Sequence, residues 1–240
     1  YAGDGPGAAL LVLPDGEAVV RRGYGYADLE GRVRAAPQTN FRLASISKQF
    51  TAAAVLLLAE DGVLRLDDPL RRWLPELPPA AGAVTLHHLL THTSGLVDYE
   101  DLMAPDATAQ VRDADVLRLL AAHDRLYFAP GSDYRYSNSG YALLALVVER
   151  ASGMRYARFL RERIFLPLEM RDTVAFEDGV SAVAHRAYGY SRGGDGAWVR
   201  TDQSSTSAVL GDGGIYSSID DLAKWDAALS DDPLLSGASP

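Results

Sequence analysis

Apolar and polar positions alternate between two textures along the chain. Near the N-terminus, Ala8-Ala9-Leu10-Leu11-Val12-Leu13 is followed by Pro14-Asp15-Gly16 and then by Glu17-Ala18-Val19-Val20. Two apolar runs flanking Asp-Gly predict a β-hairpin, its second strand continuing through Gly23-Tyr24-Gly25-Tyr26. From Phe41 the texture becomes helical. Ser47 to Asp61 is apolar on nearly every side, which predicts an interior helix, with Gly62 placed to close it in the left-handed conformation. Asp67-Asp68-Pro69 reads as a helix start with Pro69 in the first turn. Further helices are predicted near Leu86–Thr91, Asp113–Ala122, Ser139–Ser152 (closed by Gly153) and Tyr156–Ile164. A glycine-rich texture returns from about Ala187, with a turn at Gly193-Gly194-Asp195-Gly196 between short strands. Ser218, followed by Asp220-Asp221, caps a last helix through Leu229.

Strands, a long helical block, strands again and a helix describe an α+β chain, with a small sheet and a helical lobe. An isolated hairpin is marginal, and the later strands are short, so the sheet is under-supplied. At 240 residues and 48% hydrophobic, the chain can bury one sizeable core. Its net charge of -9 makes it a poor general binder of nucleic acid or anionic membranes. The longest apolar run, Ala52 to Ala59, falls far short of the ~20 residues of a membrane span. With no cysteine there are no disulfides, thiolate metal sites or cysteine nucleophiles. The chain opens on Tyr1 rather than methionine, so an upstream piece is expected to have been removed or left out.

Charge composition also points to a site. Of 23 basic residues only Lys48 and Lys224 are lysine, so a retained lysine asks what arginine could not do there. Ser45-Ile46-Ser47-Lys48 puts a hydroxyl and an amine three residues apart, on one face if a helix begins there. A desolvated lysine can lose its proton and act as a base, which arginine cannot. Tyr136-Ser137-Asn138, after Pro130-Gly131 and just before the apolar run Tyr141 to Val148, supplies a candidate acid/base phenol and an amide donor.

Other patterns lose to plainer readings. Gly189-Tyr190-Ser191-Arg192-Gly193 matches a nucleophile elbow, but Gly194-Asp195-Gly196 follows instead of a helix, and no histidine comes later; it reads as a loop or hairpin turn. His87, His88 and His92 lack the intervening glutamate of a zinc-protease helix and read as loop packing. Asp67-Asp68, Asp220-Asp221 and Asp231-Asp232 read as caps and solvated turns, and Tyr24 and Tyr26 as strand packing. No metal or cofactor is called for.

Together the pieces resemble the serine β-lactamase and penicillin-binding protein superfamily, especially its class C-like branch with related esterases and D-amino-acid peptidases. Phe41 to Thr51, Leu89-Leu90-Thr91-His92-Thr93-Ser94-Gly95-Leu96, Pro130 to Tyr141 and Gly213 to Ser218 with Asp221-Leu222-Ala223 carry the resemblance, in family order across the chain. One departure is Glu169 in Pro167-Leu168-Glu169-Met170, where the family commonly has glycine. The resemblance implies one β-lactamase/transpeptidase-like domain over 1–240: an N-terminal hairpin (1–40), a nucleophile helix and helical lobe (41–175), then strands, loops and a late helix (176–240).

It further implies that Ser45 is acylated, that Lys48 and Tyr136 share the proton transfers, and that Asn138 orients the substrate's amide. The substrate would be a β-lactam, a D-alanyl peptide or a small ester, handled outside the cytoplasm, in the periplasm or after secretion. The family's third element, Lys-Thr-Gly or His-x-Gly on a flanking strand, is matched by neither Lys224-Trp225-Asp226 nor His185-Arg186-Ala187. The closing strands are therefore expected outside this chain, with a C-terminal segment or a second chain completing the sheet. The non-enzyme alternative is a penicillin-recognising or peptidoglycan-sensing module.

Overall fold

The structure, a computed structural model, describes residues 3–231. Strand β1 (Ala8–Val12) pairs antiparallel with β2 (Val20–Tyr24), Val12 opposite Val20 and Ala8 opposite Tyr24. The hairpin therefore opens wider than predicted. Pro14 cannot donate to a ladder, so the strand stops before it. Pro14–Gly16 forms a 3-10 turn with Asp15 at φ 49° and Gly16 at 81°, and the return strand starts later than expected. β3 (Tyr26–Asp28) and β4 (Val33–Arg34) form a second antiparallel pair.

The sheet that positions the site has three short strands. β5 (Phe41–Arg42) pairs with the late strand Ile215–Ser217, Arg42 opposite Tyr216, and β6 (Val174–Ala175) pairs with its other edge. A backbone bond from Leu43 N–H to the Ile215 carbonyl (2.8 Å) extends that pairing toward Ser45.

The buried helix is α1 (Ser47–Glu60), closed by Gly62 at φ +70° as predicted. Its Phe50 is fully buried, 5.4 Å from the Phe165 ring and 4.5 Å from that of Trp225. Burial of a side chain this size stabilises by roughly 1.5–3 kcal/mol. α2 is a single turn (Leu70–Trp73), with Pro69 at the extended position before it instead of inside the first turn. Asp68 is no solvated cap: it is buried and accepts from Arg65 N–H, Arg72 and the Trp73 indole. α3 (Leu86–Leu90) opens with a reciprocal box in which Thr85 Oγ1 accepts from His88 N–H and His88 Nδ1 accepts from Thr85 N–H.

α4 (Asp113–Ala121), α5 (Asn138–Ser152) and α6 (Tyr156–Leu160) complete the helical lobe, α6 running into a π turn over Arg161–Phe165. α5 is fully buried at Ala142, Leu143, Leu144, Val147 and Val148, and Gly153 ends it at φ 69°. Glu169 adopts φ 55°, a conformation that favours glycine, and its carbonyl accepts from Lys224 Nζ at 2.6 Å. β7 (Tyr190–Arg192) and β8 (Trp198–Arg200) form a hairpin, so Ser191 sits on an exposed strand beside Thr201.

The chain then forms one short turn, α7 (Leu210–Gly213), followed by β9 (Ile215–Ser217) and α8 (Ile219–Asp231). Ser218 Oγ accepts from Asp221 N–H, the predicted cap. Asp220 pairs with Arg21 at 2.6 Å, whereas Asp221 is buried and accepts from Asp172 N–H and Thr173, a tie between elements instead of a solvated turn. Asp232 lies outside the described residues. Among the described residues, no helix is long and apolar enough to cross a membrane.

Candidate active site

Ser45 does not lie in α1 but in the 3-10 turn Ala44–Ile46 just before it. Ala44 adopts φ +47°, a left-handed conformation that costs a residue with a side chain roughly 1–2 kcal/mol. The turn still leaves Ser45 exposed and within reach of Lys48, as the i, i+3 spacing predicted.

Lys48 is 6% exposed, and its three ammonium protons meet three acceptors: Ser45 Oγ at 3.3 Å, Asn138 Oδ1 at 2.9 Å and the Asp212 carbonyl at 3.0 Å. That complement satisfies a buried cation that would otherwise be costly. The rings of Tyr136 and Tyr141 stand 4.8 and 5.6 Å from Nζ and add cation–π attraction. The Tyr136 hydroxyl, 44% exposed as a residue, donates to Ser45 Oγ at 2.8 Å. All four predicted residues thus converge. Asn138 is the first residue of α5, and the cap is Ser137, whose Oγ accepts from Gly140 N–H.

The acceptor behind Lys48 is held from several sides. α7 lies so close to α5 that a Cβ on Gly211 would sit 2.2 Å from the Tyr141 carbonyl oxygen. Asp113, buried in α4, takes Leu210 N–H and Gly211 N–H on its two oxygens, at 2.9 and 3.0 Å. From α1, Thr51 donates to the Gly211 carbonyl at 2.7 Å.

Asp212 itself is 7% exposed, with its carboxylate accepting from the buried Tyr99 hydroxyl at 3.2 Å. Burial pushes its carboxyl up to about 7; Lys48 pulls it back and Asp113 adds to the rise. Burial likewise raises Asp113 to about 6 against the pull of its two backbone N–H bonds. Burial also raises the Tyr99 hydroxyl, which therefore stays a donor.

The chain as a whole is also similar to known proteins. A family model described as Beta-lactamase matches residues 2–239. This chain belongs to the beta-lactamase family. Penicillin-binding protein 4* of Bacillus subtilis (strain 168) is 35% identical over 96% of this chain, which spans 53% of that relative's length. Among solved structures, a penicillin binding protein from Bacillus halodurans superposes with a TM-score of 0.84 at 34% identity, covering 96% of this chain and 71% of that one. A D-amino acid amidase from Ochrobactrum anthropi SV3, complexed with L-phenylalanine amide, gives 0.80 at 31% identity over 96% and 66%. The fold is accordingly β-lactamase/transpeptidase-like, and serine hydrolase chemistry is the broad class of the family.

Three residues of this beta-lactamase-family site were not read from sequence. Glu100 Oε1 accepts from Asn138 Nδ2 at 3.0 Å, which fixes the amide with its oxygen toward Lys48. Asp212 supplies a main-chain oxygen, to which side-chain patterning is blind; its signal is a lone acid among Val209-Leu210-Gly211 and Gly213-Gly214-Ile215. His92 stacks on Tyr136 at 4.6 Å and accepts from Ser137 N–H through Nδ1 at 3.1 Å. His88 caps α3 and His92 holds this loop, so the i, i+4 pair serves two separate backbone sites.

Proposed function

We propose that the chain carries the acylation machinery of a serine hydrolase that cleaves an amide or ester bond through an acyl-enzyme on Ser45. One observation carries the reading: Ser45 Oγ lies within hydrogen-bond reach of both Lys48 Nζ and Tyr136 OH. In the reaction, one member of the Tyr136–Lys48 pair first gives up a proton to solvent; Ser45 Oγ then attacks the substrate carbonyl carbon as its own proton passes to that vacated oxygen or nitrogen. The same pair returns a proton to the leaving nitrogen or oxygen as the scissile bond breaks. Water then attacks the ester on Ser45 and regenerates the hydroxyl. The Ser45 N–H serves as one oxyanion donor, and Asn138 Nδ2 turns from Glu100 to the substrate's amide.

The substrate class proposed is a β-lactam, a D-alanyl or related amino-acid amide, or a small ester. Similarity to a penicillin-binding protein and to a D-amino acid amidase favours the first two. Action outside the cytoplasm, in the periplasm or after secretion, belongs to the same proposal.

The test is incubation with a chromogenic β-lactam and a D-amino acid amide, with Ser45→Ala alongside. Multiple turnover lost in Ser45→Ala supports the hydrolase. Stoichiometric acylation without release favours a penicillin-recognising module, and activity retained in Ser45→Ala sinks both.

A further inference from the structure

Tyr136 lies in a stretch, residues 133–137, that has no regular secondary structure, and Asn138 follows it directly, yet both side chains must be held to within tenths of an ångström. One residue meets its backbone twice. Arg135 N–H donates to the His92 carbonyl at 3.0 Å, and Ser137 N–H donates to His92 Nδ1 at 3.1 Å. The His92 ring is tilted 31° against that of Tyr136, and packs on Tyr141 at 5.1 Å and edge-on to Tyr134 at 6.0 Å. His92 is itself set by the turn closing α3, where its φ is +59° and its N–H donates to Leu89.

We infer that His92 is the positioning residue for Tyr136 and Asn138, and that it holds them only as the neutral imidazole, because Nδ1 can accept the Ser137 N–H only while it carries no proton. For its catalytic consequence this rests on the proposed acylation of Ser45. An imidazolium turns two N–H groups toward each other, removes the bond and releases the segment between Tyr136 and Asn138.

The groups facing the ring agree with a neutral state. Lys48 from α1 presents the charge on one side, and Tyr134, Tyr136 and Tyr141 supply neutral rings. The Arg135 guanidinium turns away to Asp101 at 3.6 Å and to the Tyr127 ring. Burial, and after it the Lys48 charge, hold the imidazole below its ordinary value.

His92→Asn tests this directly. Asparagine tolerates the left-handed backbone and offers Oδ1 as a non-titrating acceptor; His92→Leu keeps bulk without an acceptor. NMR follows the His92 ring and the Ser137 amide proton against pH, and a fluorophosphonate probe measures the rate of Ser45 modification in parallel. The expected result is a Ser137 shift with the same midpoint as the His92 ring, below 6.5, that vanishes in His92→Asn. The modification rate should lose the acidic limb with that midpoint in His92→Asn, and at pH 8 should be at least about 10-fold lower in His92→Leu than in His92→Asn.

A Ser137 shift that persists in His92→Asn, or an acidic limb unchanged in it, overturns the inference. If the wild type resists the probe altogether, the acylation reading falls, while the NMR midpoints still judge the role of His92.

Discussion

Lys48 Nζ donates to Asn138 Oδ1 at 2.9 Å across 90 residues of sequence. The bond joins the first turns of two largely buried helices, α1 and α5, so core packing and site geometry are one constraint. Loss of the amine's shape is felt at the amide, and the reverse.

Lys48→Arg keeps the charge and should still fail. A planar guanidinium cannot reproduce three bonds diverging from one nitrogen at a residue only 6% exposed, and it cannot pass a proton at neutral pH. The rate of Ser45 acylation is expected to drop by roughly 10²–10⁴-fold. Circular dichroism should show the fold retained. A rate within tenfold of wild type would remove the assigned role of Lys48.

Tyr136→Phe keeps the ring on His92 and beside Lys48 while deleting only the hydroxyl 2.8 Å from Ser45. The effect should fall on kcat, by roughly 10²–10⁴-fold, with KM little changed. Tyr136 is 44% exposed, so stability should move by under about 1 kcal/mol. An effect confined to KM would make the hydroxyl a binding group only.

These two residues and their partners were legible because their pattern is local: Ser45 and Lys48 are three apart, and Tyr136 and Asn138 two apart. Glu100, His92 and Asp212 were not, because each joins the site through a tertiary contact, and two of them act on or through backbone groups. The same limit explains the fold. Helices with strong apolar patterning, such as Ser47–Glu60 and Asn138–Ser152, appeared close to their predicted ends. The hairpin turn lies at Pro14–Gly16 as expected but its return strand starts later, and buried Asp68 and Asp221 looked like surface caps, because sequence does not say which neighbours bury an acid.

Asp212 should make stability pH-dependent. Its carboxyl titrates near 7 in the folded chain, because burial penalises its charge, and near 3.9 when unfolded. A raised folded value gives a contribution that is full below about 4 and is lost as pH rises through about 7. Asp212→Asn, which can still accept from Tyr99, should therefore gain Tm relative to wild type progressively between pH 4 and 8 in calorimetric scans. A difference that stays constant with pH would show that Asp212 is not titrating in this range.

Glu169→Gly should stabilise. The left-handed backbone at φ 55° costs glutamate roughly 1–2 kcal/mol, against which glycine loses about 0.5–1 kcal/mol of unfolded-state entropy. The bond from Lys224 goes to the Glu169 carbonyl and survives the change, and the Arg171 ion pair at 3.6 Å is exposed and worth little. The expected gain is about 0.5–1 kcal/mol in urea denaturation. A loss of stability would mean that the Glu169 side chain contributes more than its exposure suggests.

Acylation of Ser45 is tested most directly by intact-mass analysis with peptide mapping after brief exposure to a penicillin or a fluorophosphonate. One adduct is expected, on Ser45, formed by the wild type and absent from Ser45→Ala. An adduct on any other residue, or the same labelling in Ser45→Ala, would contradict it.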